Sequence, residues 1–306
     1  MKEILILSGK GGTGKTSVTG SLAALITDSK VLADCDVDAA DLHLLLAPRV
    51  AEEHDFVSGV LPEVAGERCV QCGLCAEQCA YDAITMAGGG PLIDPLSCEG
   101  CGVCGWFCPE EAITMQDTTC GVWLRSTSKY GPMLHAALHP GEENSGKLVS
   151  LVKREARELA EAQGADWLLT DGPPGIGCPV IASLSGADMV LAVTEPSASG
   201  LHDLERLLEL AAHFKVKTSV CINKWDLNKE LSQQIAERCQ AQAIPVLARI
   251  PFAKVAVESV VQGVPLVEWS PDSPAAQAMG ELWAKLSSLV GEEEDGQTNT
   301  PPSPFS

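Results

Sequence analysis

"ILILSGKGGTGKTSVTGSLAALI", residues 4–26, runs in order through a strand-length apolar segment, a glycine-rich loop and a helix-compatible segment. Gly9, four intervening residues, then Gly14, Lys15 and Thr16 satisfy G-x-x-x-x-G-K-[ST], and the strand–loop–helix context makes that pattern a phosphate-binding loop. Glycines let consecutive backbone N–H groups close around phosphate oxygens, and the following helix adds the positive end of its dipole. Gly9, Lys10, Gly11, Gly12, Thr13, Gly14, Lys15, Thr16 and Ser17 form the expected nucleotide cradle. Lys15 is placed to hold the β- and γ-phosphates, and the Thr16 hydroxyl to ligate Mg²⁺.

Five more apolar runs follow: "KVLADCD", "DWLLTDGPPG", "DMVLAVTEP", "KTSVCINKWD" and "IPVLARIP". Helical patterns lie between several of them, at 146–162, 201–213 and 229–242. Continuous apolar strands alternating with helices predict an α/β fold, a mostly parallel sheet covered on both faces. Ligands in such folds sit at the carboxyl ends of the strands, where the Asp- and Gly-rich tails of these runs fall. Asp171, closing "LLTD", takes the position of a metal-holding Walker B carboxylate, and Asp36, in "DCDVD", is placed beside the metal to orient an attacking water.

"KGGTGKT" carries an additional lysine, Lys10, early in the loop. With "DCDVDAADL", "DGPPGIGCP" and "VTEPSASGLHDL", it resembles the deviant Walker A class of MinD, ParA, Mrp and the nitrogenase iron protein over nearly the whole chain. The nearest likeness within that class is to MinD-like ATPases with an inserted ferredoxin domain, often labelled cobyrinic acid a,c-diamide synthase-like. The resemblance implies ATP as ligand and a dimer clamped face to face. It gives Lys10 a role on the partner's phosphates, Asp36 the attacking water, and Thr16 with Asp171 the Mg²⁺. A cation supplied in trans would make hydrolysis depend on dimerisation, as an arginine finger does. It also implies that Asn223 contacts adenine and that the segment around Pro251 walls the base pocket. Asn223-Lys224-Trp225-Asp226 equally fits N-K-x-D, in which Asp226 would read guanine.

A second signal lies in mid-chain. Cys69, Cys72, Cys75 and Cys79 are spaced C-x2-C-x2-C-x3-C, and Cys98, Cys101, Cys104 and Cys108 repeat the spacing. The repeat continues as "YDAITM" and "EEAITM". This is the two-cluster bacterial ferredoxin run, in which the fourth cysteine of each run serves the other cluster. One 4Fe–4S cluster is therefore expected on Cys69, Cys72, Cys75 and Cys108, and the other on Cys98, Cys101, Cys104 and Cys79. Ala80 stands where a proline usually follows the fourth cysteine, which removes no ligand. Structural zinc, the alternative, favours paired C-x2-C knuckles at longer separations. Cys35, Cys221 and Cys239 read as packing residues, and Cys120 has no assigned role. Cys178 reads as packing in preference to a cluster bridging two subunits. His135 and His139, four residues apart, read as surface or capping groups, and Asn144 or Ser145 as a helix cap.

The 306 residues hold 21 basic and 41 acidic side chains, a formal charge of −20. Such a surface repels phosphate backbones and anionic lipid, so neither nucleic acid nor membrane is expected as a partner. No leader pattern precedes the first strand, and 13 cysteines in a reducing cytoplasm point to ligation rather than disulfides.

The expected organisation is a P-loop core over 1–65 and 117–290, a ferredoxin insert over 66–116, and a disordered acidic tail over 291–306. The expected activity is ATP hydrolysis by a dimer, of identical chains or of paralogues, coupled to electron transfer or to iron–sulfur handling on a partner protein. A MinD-like positioning or assembly switch that docks through the insert is the second reading. ATP-dependent amide synthesis ranks last, because no glutaminase-like domain is present to supply ammonia.

Overall fold

The computed structural model describes residues 1–142 and 145–291; Asn144 and the tail from 292 lie outside the described residues. Its first strand, β1 (Lys2–Ser8), is buried along nearly its whole length. Successive side chains of a strand point to opposite faces. Ile4 and Ile6 accordingly pack with Val18, Leu22, Met279 and Leu282 on one side, and Leu5 and Leu7 with Val180, Leu207 and Ile235 on the other. Each fully buried Leu or Ile contributes roughly 1.5–3 kcal/mol of apolar burial, so this strand can exist only as the centre of a sandwich.

The remaining strands are β2 (Lys30–Asp34), β3 (Arg49–Val64), β4 (Ile84–Ala87), β5 (Gly90–Ile93) and β6 (Ile113–Ser128). They are followed by β7 (Gly131–Leu138), β8 (Trp167–Pro174), β9 (Met189–Thr194), β10 (Lys217–Asn223) and β11 (Val246–Ile250). Nine of them form one sheet in the order β11-β10-β9-β1-β8-β2-β7-β6-β3, and β4 pairs with β5. From β11 to β7 every pairing is parallel. The fold is therefore α/β with a mostly parallel central sheet. Helices Lys15–Leu25, Ser145–Gln163, Ala198–His213 and Lys229–Ala241 connect its strands.

The chain divides into two compact units. The larger comprises residues 1–53, 124–136 and 145 onward; the smaller comprises residues 54–123 and 137–144. The smaller unit includes all of 66–116 and extends beyond it on both sides, into β3 before the cysteine runs and β6 after them.

Two sequence expectations change here. His135 lies on a strand rather than on a helical surface: it is buried, its Nε2 is 2.8 Å from Ser126 Oγ, and its ring stacks on His43. Cys178, expected to pack, is exposed at the start of helix Cys178–Leu184. Cys35, Cys221 and Cys239 are fully buried, and Cys120 is buried with its thiol donating to Ser58 O at 2.6 Å.

Candidate functional site

The loop between β1 and helix Lys15–Leu25 turns through two left-handed glycines, Gly12 at φ 79° and Gly14 at φ 92°. A Cβ on Gly14 would also collide with the Asn223 amide, so that position requires glycine on two counts. Asn223 Nδ2 donates to Thr13 O at 2.7 Å, and Lys224 Nζ donates to Gly12 O at 2.8 Å. The first two residues of N-K-x-D thus brace the phosphate-binding loop from below.

Lys15, buried at the head of the helix, faces three carboxylates. Its Nζ lies 3.0 Å from Asp171 Oδ1 and 3.4 Å from Asp36 Oδ2, yet makes no aligned hydrogen bond among the described residues. Burial alone would lower its pKa, but Asp171, Asp36 and Asp34 outweigh burial and hold it above the ordinary lysine value. Asp171 also accepts from Thr16 Oγ1 and Thr19 Oγ1, each at 2.8 Å. Of the three residues expected at Mg²⁺, Thr16, Asp36 and Asp171, the first and last are therefore in mutual contact, and β8 runs on three residues past Asp171 rather than closing there. Burial pushes the Asp36 carboxyl above its usual range despite Lys15.

Asp34, which the sequence reading passed over in favour of Asp36, organises the loop after β2. Its two oxygens accept the amides of Asp36 and Leu42 at 3.1 Å each, and burial, with Asp171 nearby, pushes its pKa up to about 8. The repeated aspartates of "DCDVD" carried that signal: Asp34 serves the backbone and Asp36 faces Lys15.

Lys10 does not project outward. Its Nζ sits 2.7 Å from Glu195 Oε1 and donates to Ser197 Oγ at 3.2 Å and Ser199 Oγ at 3.0 Å. Glu195 simultaneously binds Lys224 Nζ at 2.9 Å. Burial would raise the Glu195 carboxyl, and the two ammonium groups reverse this and hold it below the usual carboxylate range. At the far end, Asp226 Oδ1 accepts the Phe252 amide at 2.7 Å, which ties it to the segment that follows Pro251.

In the smaller unit the cysteines surround two separate cavities. Cys69, Cys72, Cys75 and Cys108 line one, with about 360 Å³ of empty space including its mouth. Cys79, Cys98, Cys101 and Cys104 line the other, with about 330 Å³. The internal repeat, at an offset of 29 residues, extends to the backbone. Gly73 and Gly102 have φ 81° and 74°, Asp82 and Glu111 have φ 52° and 48°, and helices Leu74–Glu77 and Val103–Trp106 correspond. Ile84 and Ile113, also 29 apart, pack together with Cys75 and Cys104 at the centre. A single zinc ion gathers its thiolates at about 2.3 Å. Among the described residues, no three or more His, Cys, Asp or Glu side chains are gathered closely enough to hold a metal ion of any kind, and no helix is long and apolar enough to cross a membrane.

The family model for the CobQ/CobB/MinD/ParA nucleotide binding domain matches residues 4–266. An uncharacterized protein of Methanocaldococcus jannaschii is 36% identical over 228 residues, spanning 74% of this chain and 79% of that protein. An uncharacterized ATP-binding protein of the same organism is 26% identical over 284 residues, spanning 92% of this chain and 86% of its own. Among solved structures, the septum site-determining protein MinD of Pyrococcus horikoshii, complexed with Mg-ADP, is similar at TM-score 0.58 and 19% identity, covering 95% of this chain and 98% of that one. At that identity the likeness is one of fold.

Proposed function

The chain belongs to the CobQ/CobB/MinD/ParA nucleotide-binding family, and we propose that it is a dimerising ATPase whose cycle is coupled to two 4Fe–4S clusters held in its smaller unit. The observation that carries the reading is the grouping of the cysteines. Each cavity takes three thiols from one run and the fourth from the other, the crossed arrangement of a two-cluster ferredoxin.

The donor sets suit that group. Four thiols face each cavity, and Ala112 N–H donates to Cys108 Sγ at 3.3 Å, the kind of contact that stabilises a thiolate. Bound there, the clusters would supply one-electron redox centres. The eight cysteines hold them, and the buried Cys75, Cys104, Ile84 and Ile113 keep water from the space between.

In the larger unit, the amides of Gly9–Ser17 and the Lys15 ammonium receive the phosphates. Lys15, with no aligned partner among the described residues, and the buried Thr13 hydroxyl, likewise unpartnered, are groups a nucleotide would satisfy. Mg²⁺, held by Thr16 and Asp171, would neutralise developing phosphate charge. Asp36 orients the attacking water, and Lys10 serves the second subunit's phosphates. ATP is the assigned nucleotide, with Asn223 and Pro251 beside the base, on the family likeness; Asp226 Oδ1 accepts the Phe252 amide, and Asn223 is likewise engaged with Thr13 O and Lys224 N–H. Coupling between hydrolysis and redox has a covalent route, since β3 and β6 each continue from one unit into the other.

Anaerobic purification with iron and sulfide analysis and EPR, with and without MgATP, tests the reading. About eight irons per chain and spectra or potentials that respond to nucleotide support it. One or two zinc ions in place of iron would remove the clusters, and spectra indifferent to MgATP would remove the coupling.

A further inference from the structure

Trp106 is 93% exposed and its neighbour Phe107 52%. A solvated indole at the end of a short helix is costly, and the internal repeat shows that the fold does not require it. At the 29-residue offset, Glu77 and Gln78 occupy the equivalent positions, on a helix of the same length with the same left-handed glycine before it. Leu96, 79% exposed, repeats the exchange against Glu67. The exchange runs the other way at Val70 and Tyr81, which stand against Glu99 and Glu110, so what sets the second repeat apart is the adjacent aromatic pair Trp106–Phe107, at places the core does not use.

The charges of the unit that carries them are nearly all of one sign. Between His54 and Trp123 the chain holds ten acidic residues, all exposed, and one basic residue, Arg68, although it has 21 basic residues in all. Arg68 is itself engaged, donating to Glu111 O. An aromatic centre within an acidic field fits an interface with an apolar hot spot and complementary electrostatics. A second copy of this chain, at −20, meets that field with the same sign, and nucleic acid and anionic lipid are repelled likewise.

We propose that the Trp106–Phe107 corner is the docking point for a basic electron-carrier protein, whose apolar centre seats Trp106 and whose Lys/Arg rim meets the acidic surface. The position is apt for such a partner because Phe107 directly precedes Cys108, one of the thiols lining the first cavity. The electron-carrier part of the proposal rests on the cluster reading above; the docking part does not.

The test uses the full chain purified anaerobically and oxidised cytochrome c, a basic haem protein, as probe, with binding measured by titration calorimetry. Trp106→Glu with Phe107→Gln installs the residues of the first repeat, so the fold has an internal precedent for them. The exchange adds a negative charge, and charge alone would tighten binding to a basic protein. A seated Trp106 predicts the opposite, a Kd raised at least about tenfold, and a wild-type Kd that also rises with salt. An unchanged or tighter Kd in the double variant, or equal binding of wild type to an acidic protein, would overturn the proposal. So would a wild-type dimer in sedimentation that the double variant dissolves, since the face would then belong to a second copy. Iron and sulfide in the same samples separate the two readings: a protein without clusters that still binds through Trp106 ends the cluster assignment and leaves the docking face standing.

Discussion

Lys10 Nζ and Glu195 Oε1 lie 2.7 Å apart within one chain, so the lysine expected to act on a second subunit is held at home. Ser197 and Ser199 complete its shell, and Lys224 shares the same carboxylate. Reaching a partner's phosphates requires that contact to break. The pair is partly exposed, which limits its worth to about 0.2–1 kcal/mol. Glu195→Gln should therefore lower the protein concentration at half-maximal ATP turnover by no more than about five-fold. Lys10→Ala should reduce turnover by about a thousandfold or more while leaving nucleotide binding in place. ATPase rates across a dilution series of each variant read both; turnover per chain independent of concentration would remove the trans role of Lys10.

The cluster of Lys15 with Asp171, Asp36 and Asp34 makes a stability prediction separate from catalysis. Lys15 is the cation that pairs Asp171 and Asp36, and the pair it forms with Asp171 is almost wholly buried. Breaking a buried pair from one side leaves uncompensated charge and costs about 3–5 kcal/mol. Lys15→Gln should lose nucleotide binding and also unfold at lower urea without any nucleotide present. The deficit should shrink as pH falls, because the orphaned carboxylates can then take up protons. A variant as stable as wild type in the absence of nucleotide would show that the carboxylates find other relief.

How much of this was legible beforehand follows from where the determinants lie. Strands β1, β2 and β8 to β11 are buried on both faces, so they read as continuous apolar runs. The 16-residue strands β3 and β6 carry mostly exposed or half-buried side chains, and their sequences show no such run. "LHAALHP" put His135 and His139 at helical spacing, and only the sheet context made residues 131–138 a strand. The phosphate-binding loop and the cysteine runs were legible because their chemistry needs residues close in sequence. Lys224 on Gly12 and Glu195 on Lys10 are pairings across 212 and 185 positions, and no local pattern announces them. Thr19 was missed although it stands one helical turn beyond Lys15, since its partner Asp171 is 152 residues away.

His135 gives the molecule a pH response that can be assigned a sign. Burial, with a smaller contribution from His43, lowers its pKa from 6.5 to about 4 in the folded chain. Between those values the unfolded chain binds a proton that the native one refuses, so the contribution is complete above about pH 6.5 and is lost as pH falls towards 4. At 1.36 kcal/mol per unit, roughly 2 kcal/mol should be gone by about pH 5. His135→Asn keeps a partner for Ser126 and cannot titrate, so its urea midpoint should fall less than that of wild type between about pH 7.5 and pH 5. Parallel curves for the two proteins would mean that the imidazole is not the titrating group.

The crossed cysteine grouping predicts which double variants are additive. Cys108 lines a cavity with Cys69, Cys72 and Cys75, whereas its sequence neighbour Cys104 lines the other with Cys79. Sequence proximity would pair Cys108 with Cys104; spatial grouping pairs Cys108 with Cys69. Removing one thiolate from a four-thiolate site should cost that site its cluster, about four of eight irons. Cys108→Ser and Cys69→Ser should then each lose about half the iron, and together lose no more. Cys108→Ser with Cys104→Ser should lose nearly all of it, as should Cys79→Ser with Cys69→Ser. Iron, acid-labile sulfide and EPR on anaerobically purified variants distinguish the patterns. If the Cys108 and Cys104 variants behaved as one site, each run would hold its own cluster and the crossed grouping would be wrong.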